Sequence, residues 1–162
     1  MERKKRVAAA WAACALWMAF IYAMSAAPGE ISGEQSGLVV RLLCALLPKS
    51  LSENAQIMVQ LETLVRKAAH MTEYAVLFCL YRRALRMSGV HRAGVLALAL
   101  SVGYAATDEF HQAFVPDRGP SVIDVMIDGC GAMIGWAACC AAAAAKARFT
   151  RSYRQKSGQG GE

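Results

Sequence analysis

The sequence predicts an all-α protein, an integral membrane bundle of four transmembrane helices with an external amphipathic segment between helices 1 and 2. The chain of 162 residues is 56% hydrophobic, with a mean hydropathy of +0.30. Its apolar residues are bunched into long runs, and its basic residues are grouped between those runs. Residues 7–24 are the clearest case, because they carry no charge and about 20 such residues cross the hydrocarbon core of a bilayer.

The first helix is predicted at about residues 7–24, with Trp11, Trp17 and Tyr22 available as anchors at the membrane interface. This apolar run is long for the core of a signal peptide, so we expect a retained span. Residues 25–36 are rich in Ser, Gly and Glu, a composition that predicts an external loop. Residues 38–47 are apolar but too few to span a bilayer, so we expect them to lie at the interface or against the bundle.

The remaining spans are predicted at about residues 68–85, 93–110 and 121–145. Helical spacing of Ile57, Leu61 and Leu64 predicts that the second span continues an amphipathic helix that begins near Asn54. Gly89 should end that helix. The transmembrane domain then occupies residues 1–150, and the polar segment 151–162 is expected to be a disordered cytoplasmic tail.

The formal net charge of +6 is distributed as the positive-inside rule requires if both termini and the loop between spans two and three are cytoplasmic. The basic residues beside the spans include Arg3, Lys4, Lys5, Arg6, Arg82, Arg83, Arg86, Arg92, Lys146, Arg148 and Arg151. No RNA-reading motif accompanies this charge, so membrane lipids, and not nucleic acid, are the expected partners. Most of the cysteines lie within apolar runs and no CxxC pair occurs, which argues against a disulfide framework.

Ionisable residues also occur within or beside the last three spans, and the predicted topology places them in the outer half of the bilayer. A charged side chain at membrane depth costs at least about 2.5 kcal/mol, so these residues are candidates for a functional site. On the fourth helix they share a face with Gly131 and Gly135, a GxxxG pattern that permits close helix packing. The candidate binding residues are Lys67, His70, Glu73, Tyr74, Asp108, Glu109, His111, Gln112, Arg118, Ser121, Asp124 and Asp128.

Three interpretations of these residues stay open. Lys67 and Arg118 suit phosphate or carboxylate groups, which predicts a pocket for an anionic or peptidic headgroup at the outer leaflet. Alternatively, a divalent metal would serve an intramembrane hydrolase or transferase acting on a lipid-linked envelope substrate, with Glu73 or Glu109 as general base. The speculative metal ligands are His70, His111, Asp124 and Asp128. The third interpretation is a structural network of ion pairs between the helices.

Three ordered motifs resemble the VanZ-like family: Lys67-x-x-His70-x-x-Glu73-Tyr74, Asp108-Glu109-x-His111-Gln112-x-Phe114-Val115-Pro116-x-Arg118, and Ser121-x-x-Asp124-x-x-x-Asp128-x-x-Gly131. The resemblance covers about residues 7–145 and departs from the family pattern at Asp117, where Gly is usual. It implies a small bacterial multi-pass membrane protein of the cell envelope. The founding member is associated with low-level resistance to teicoplanin, a lipid-bearing glycopeptide antibiotic. The resemblance implies these motif positions as a site, but it assigns no catalytic residue.

Overall fold

The computed structural model describes residues 1–26, 37, 39, 40, 42, 54–116 and 119–158. Within these residues the chain forms four α-helices and no β-strand: α1 (Glu2–Ser25), α2 (Ala55–Met87), α3 (Ala93–Gln112) and α4 (Val122–Gly158). The prediction of an all-α fold is confirmed. The predicted external loop and the short apolar segment that follows it lie almost wholly outside the described residues.

Helix α2 begins and ends where neighbouring groups satisfy its terminal backbone atoms. The Asn54 side chain accepts hydrogen bonds from the N–H groups of Gln56 and Ile57, at 3.0 and 3.3 Å, as an N-cap asparagine does. At the other end Gly89 adopts a φ of 87°, and the Val90 N–H donates to the Leu85 carbonyl oxygen at 3.0 Å, which is a Schellman motif. The amphipathic segment and the second predicted span therefore form one continuous helix, and Gly89 follows its end as predicted.

Helix α4 begins after Ser121, whose Oγ accepts a hydrogen bond from the Asp124 N–H at 3.3 Å. It continues through Gly158, eight residues into the segment 151–162 for which the sequence predicted disorder. The physical reason is composition, because the Ala, Lys, Arg and Gln residues that follow the apolar run are good helix formers. Basic side chains near the C-terminal end of a helix also complement its dipole.

Helix α2 is the centre of the bundle. It packs against the other three described helices, while α3 also packs against α4 and α1 packs mainly against α2. Tyr74, Leu77 and Phe78 of α2 are fully buried, and the Phe78 ring stacks on Trp136 of α4 at a centroid distance of 5.8 Å. Helix α3 buries a stripe of small residues that lets its backbone approach its neighbours: Ala93, Ala97, Ser101 and Ala105.

Helix α4 lies directly on the backbone of α2 at Gly131 and Gly135. A Cβ atom at Gly135 would lie 2.5 Å from the Ala75 carbonyl oxygen and 3.1 Å from the Ala75 Cα. A Cβ atom at Gly131 would overlap the backbone of Met71. No side chain larger than hydrogen fits at either position without separating the helices, so the GxxxG pattern acts here as a packing motif.

Helices α1 and α4 have the length and apolar composition needed to cross a membrane, α4 over Val122–Arg151. The most apolar 18-residue window of each is only 17% and 22% buried, respectively, and large apolar side chains such as Leu16, Ile123 and Met133 are exposed on them. Extended apolar surface of this kind marks contact with a membrane or another partner. The prediction of four spans is supported at these two helices and stays a prediction for α2 and α3.

Candidate functional site

The middle of α2, the C-terminal end of α3 and the N-terminal end of α4 enclose a polar cavity of about 210 Å³. Its position follows from helical periodicity, because residues three or four apart lie on one face of a helix. Six of the twelve predicted binding residues surround this one space. The lining residues are Arg66, Lys67, His70, Glu109, Gln112, Gly119, Asp124, Ile127 and Asp128.

An ion pair joins α2 to α4 at the cavity. The Lys67 Nζ lies 2.9 Å from the Asp124 Oδ1, and the two side chains are 38% and 41% exposed. An ion pair this accessible contributes at most about 1 kcal/mol in water. The Lys67–Asp124 pair is therefore a small part of what holds α2 to α4.

The Glu109 carboxylate connects α3 to the start of α4. Its Oε1 accepts a hydrogen bond from the Ser121 backbone N–H at 2.6 Å, and Glu109 is buried. Ser121 Oγ in turn accepts a hydrogen bond from the Asp124 N–H. Two carboxylates thus lie at the N-terminal end of α4, where negative charge interacts favourably with the helix dipole.

A second hydrogen-bonded group lies between α1 and α3. Ser25 Oγ donates to the Asp108 Oδ2 at 2.7 Å, and Gln112 Nε2 donates to Ser25 Oγ at 3.2 Å and to the same Asp108 oxygen at 3.4 Å. Ser25 and Asp108 are both buried. Because Gln112 also lines the cavity, these hydrogen bonds connect the cavity wall on α3 to the end of α1.

Some buried polar atoms around the site have no hydrogen-bond partner within the described part of the chain. His70 Nδ1 and Glu73 Oε2 lie 3.4 Å apart, but their mutual geometry is not that of a hydrogen bond, and Asp108 Oδ1 and His111 Nε2 also lack partners there. An unpartnered buried polar atom costs about 1–3 kcal/mol. Hydrogen bonds to these atoms are therefore not supplied by the described residues.

Asp128 lies one helical turn before Gly131, next to the place where α4 touches the α2 backbone. Its side chain is only 5% exposed and lines the cavity. A carboxylate so close to a tightly packed helix pair has little freedom to move away from the cavity. Asp128 is thus a buried acidic lining residue beside the α2–α4 packing contact.

Three of the predicted site residues lie elsewhere or are not described. Tyr74 is fully buried with its ring 6.3 Å from that of Tyr104, so it belongs to the core beneath the site. The His111 ring lies 4.4 Å from the ring of Tyr22 on α1 and does not line the cavity. Arg118 lies outside the described residues.

Three of the four speculative metal ligands, His70, Asp124 and Asp128, line the cavity, but His111 does not. Across the described ranges, His, Cys, Asp and Glu side chains form no group of three that could hold a metal ion. The donor set for the metal-dependent hydrolase or transferase is therefore not assembled in this structure.

The structure also adds two residues that were not among the predicted binding residues. Arg66 lines the cavity beside Lys67, and Ser25 holds Asp108 across 83 positions of the chain. Arg66 lies one turn before His70 on the same helix, so helical spacing contained a signal for it. Ser25 stands at the end of an apolar helix, and its spacing carries no signal of contact with α3.

Two helices apolar enough to cross a membrane and a polar cavity among the helix ends are features typical of a helical membrane protein with a site near one end. A comparison with protein families gives the particular family: the model described as VanZ/LLP1 matches residues 10–143. The chain belongs to the VanZ/LLP1 family, as the three sequence motifs indicated. Neither the curated proteins nor the solved structures contain a match to the chain.

Proposed function

We propose that the protein is a multi-pass cell-membrane protein whose polar cavity binds the headgroup of a lipid-linked envelope molecule or lipoglycopeptide. The composition of the cavity carries the proposal, because two cations, Arg66 and Lys67, and three carboxylates line one space. The cations suit phosphate or carboxylate groups, and the acids suit ammonium or hydroxyl groups. A headgroup that presents both kinds of group matches this mixed lining.

The length of α2 supports an arrangement in which all four helices cross the membrane. Fifteen positions separate Lys67 from Arg82, a rise of about 22 Å along the helix. The hydrocarbon core is about 30 Å thick, and long basic side chains reach several ångströms toward the interface. With the arginine-rich end in the cytoplasm, as the positive-inside rule favours, both termini are cytoplasmic and the cavity faces the outer leaflet.

The unpartnered polar atoms favour a binding site over a purely structural network of ion pairs. A network whose only role is stability would pair its buried groups, since a half-satisfied buried network is less stable than an apolar core. Within the described residues, the buried atoms without a hydrogen bond include Asp108 Oδ1 and also His70 Nδ1, whose side chain lines the cavity and lies 3.4 Å from Glu73 Oε2 in an ion pair. A bound headgroup that supplies donors and acceptors would satisfy such atoms.

The proposal is tested by measuring equilibrium binding to the purified full-length protein in detergent. The probes are teicoplanin, the same glycopeptide without its acyl chain, and a polyprenyl diphosphate-linked saccharide. Lys67→Gln removes a cation from the cavity, and Lys146→Gln removes an exposed cation from the distant part of α4. We expect Lys67→Gln to weaken binding of an acylated probe about tenfold or more, since a charge-assisted hydrogen bond contributes about 1.5–3 kcal/mol.

The melting temperature of each variant separates a binding role from a structural one. Lys67→Gln should keep a melting temperature close to that of the wild type, because its ion pair is half exposed, and Lys146→Gln should bind as the wild type does. Loss of binding and of stability together would instead indicate a structural network. If no probe binds the wild-type protein, the proposed function is wrong. In cells, Arg118→Ala should abolish any teicoplanin resistance without lowering expression.

A further inference from the structure

A second cavity lies at the opposite, basic end of the bundle. It has a volume of about 870 Å³ and is formed by the N-terminal end of α1, the C-terminal end of α2 and one residue of α4. Its polar lining contains a single carboxylate, that of Glu2, and five guanidinium groups. These belong to Arg3, Arg6, Arg82, Arg83 and Arg86.

Within the described residues, the positive charge of these five arginines exceeds the negative charge that lines the cavity with them. Among the described residues none of them forms an ion pair with a carboxylate within 4.0 Å. Like charges gathered around one cavity repel one another, so a bound anion would stabilise this end of the bundle. The planar guanidinium group donates paired hydrogen bonds that match the oxygens of a phosphate.

An apolar groove adjoins this cavity and shares Arg6, Arg83 and Met87 with it. The groove has a volume of about 160 Å³, and its other lining residues are apolar: Ala9, Ala10, Ala13 and Leu80. It runs between α1 and α2 from the arginines toward the middle of the apolar helix α1. A phosphate site continued by an apolar groove is suited to a molecule that has an anionic head and an acyl chain.

We propose that this basic cavity binds the phosphate of an anionic phospholipid from the cytoplasmic leaflet, with an acyl chain in the adjoining groove. Basic pockets between membrane helices on the cytoplasmic side are places where anionic lipid headgroups bind. Cationic side chains at the end of a span and an apolar groove directed along it supply both parts of such a site. The site is separate from the polar cavity and does not depend on the ligand proposed for that cavity, but its assignment to the cytoplasmic leaflet rests on the membrane topology proposed above.

The test is lipid binding by the full-length protein in an uncharged detergent, read as the shift in melting temperature and as bound lipid in native mass spectrometry. The probes are dioleoyl phosphatidylglycerol, dioleoyl phosphatidylcholine and inorganic phosphate at equal concentrations. We expect phosphatidylglycerol to bind and to raise the melting temperature, and the other two to have little effect. Equal binding of phosphatidylcholine would overturn the proposal, and an equal shift with inorganic phosphate would assign the site to a free anion.

Two double variants examine the arginines themselves. Arg82→Gln with Arg86→Gln should weaken phosphatidylglycerol binding about tenfold or more, whereas Lys146→Gln with Arg148→Gln, on the exposed part of α4, should not change it. If the α2 variant fails to fold, Arg3→Gln with Arg6→Gln removes two guanidinium groups near the chain terminus instead. Wild-type affinity in both arginine variants would show that the basic cavity is not the lipid site.

Discussion

Replacing Gly135 with alanine places one methyl group between α4 and the backbone of α2. The added Cβ would lie 2.5 Å from the Ala75 carbonyl oxygen, whereas ordinary contacts of this kind begin at about 3.4 Å. Backbone atoms cannot rotate away as a side chain can. The two helices must therefore separate locally by about 0.9 Å, the difference between these two distances.

The expected loss of stability is the cost of that separation minus the gain in helix propensity. Over-packing a well-packed interface costs about 1–3 kcal/mol and occasionally more, while glycine to alanine within a helix gains about 1 kcal/mol. We expect Gly135→Ala to lower the free energy of unfolding by up to about 2 kcal/mol, and by about 1–3 kcal/mol relative to a glycine-to-alanine change that meets no neighbour. The loss should be larger for Gly131→Ala, because a Cβ there would overlap the Met71 backbone.

Gly103→Ala is the matched control, since it makes the same chemical change inside a helix where a Cβ meets nothing within 4 Å. The assay is unfolding of the purified variants by sodium dodecyl sulfate in mixed micelles, followed by circular dichroism. Gly103→Ala should be as stable as the wild type or up to about 1 kcal/mol more stable. The reasoning is refuted if Gly135→Ala is as stable as the Gly103→Ala control.

Two further predictions concern contacts between helices. Ser25→Ala removes a buried hydrogen bond to Asp108 and should lower the free energy of unfolding by about 1.5–3 kcal/mol. In a protein that already carries Asp108→Asn, the same change should lower it by clearly less. Equal losses in the two backgrounds would argue against the contact. Cys79 Sγ and Cys139 Sγ lie 3.6 Å apart. In a variant with all other cysteines replaced by alanine, a mild added oxidant should therefore take up two electrons and two protons from this pair and leave an intramolecular disulfide. Mass spectrometry should detect this bridge, and a variant that keeps only Cys79 with the exposed Cys140 should give little of it.

The sequence predicts the helices well because their determinants are local. Each determinant, such as an apolar run, the N-cap side chain of Asn54 or the turn at Gly89, depends on a few neighbouring residues. The structure has α2 between Asn54 and Gly89. The C-terminal extent of α4 was not predicted because polar composition was taken to indicate disorder. The Arg, Gln and Lys residues of this segment combine polarity with high helix propensity, so here the second property decides.

The sequence predicts which site residues share a face of one helix, but it does not predict which residues of different helices meet. His111 and Gln112 follow Asp108 by three and four residues, so the sequence places all three on one side of the helix. His111 and Gln112 nevertheless point about 100° apart around the helix axis. Gln112 therefore reaches the cavity while His111 meets Tyr22 on α1. The sequence does not state how α3 is rotated against its neighbours. That rotation depends on packing, which also determines that Ser25 reaches Asp108.

The glycine contacts connect the packing of the bundle to the geometry of the polar cavity. Asp124 and Asp128 lie within two helical turns of Gly131, so the position of their carboxylates relative to α2 depends on how closely α4 approaches Met71 and Ala75. A wider separation at this contact would move the carboxylates of α4 away from the cations of α2, among them Lys67, whose Nζ lies 2.9 Å from the Asp124 Oδ1. Glycine at these positions thus holds the cations of α2 and the carboxylates of α4 around one cavity.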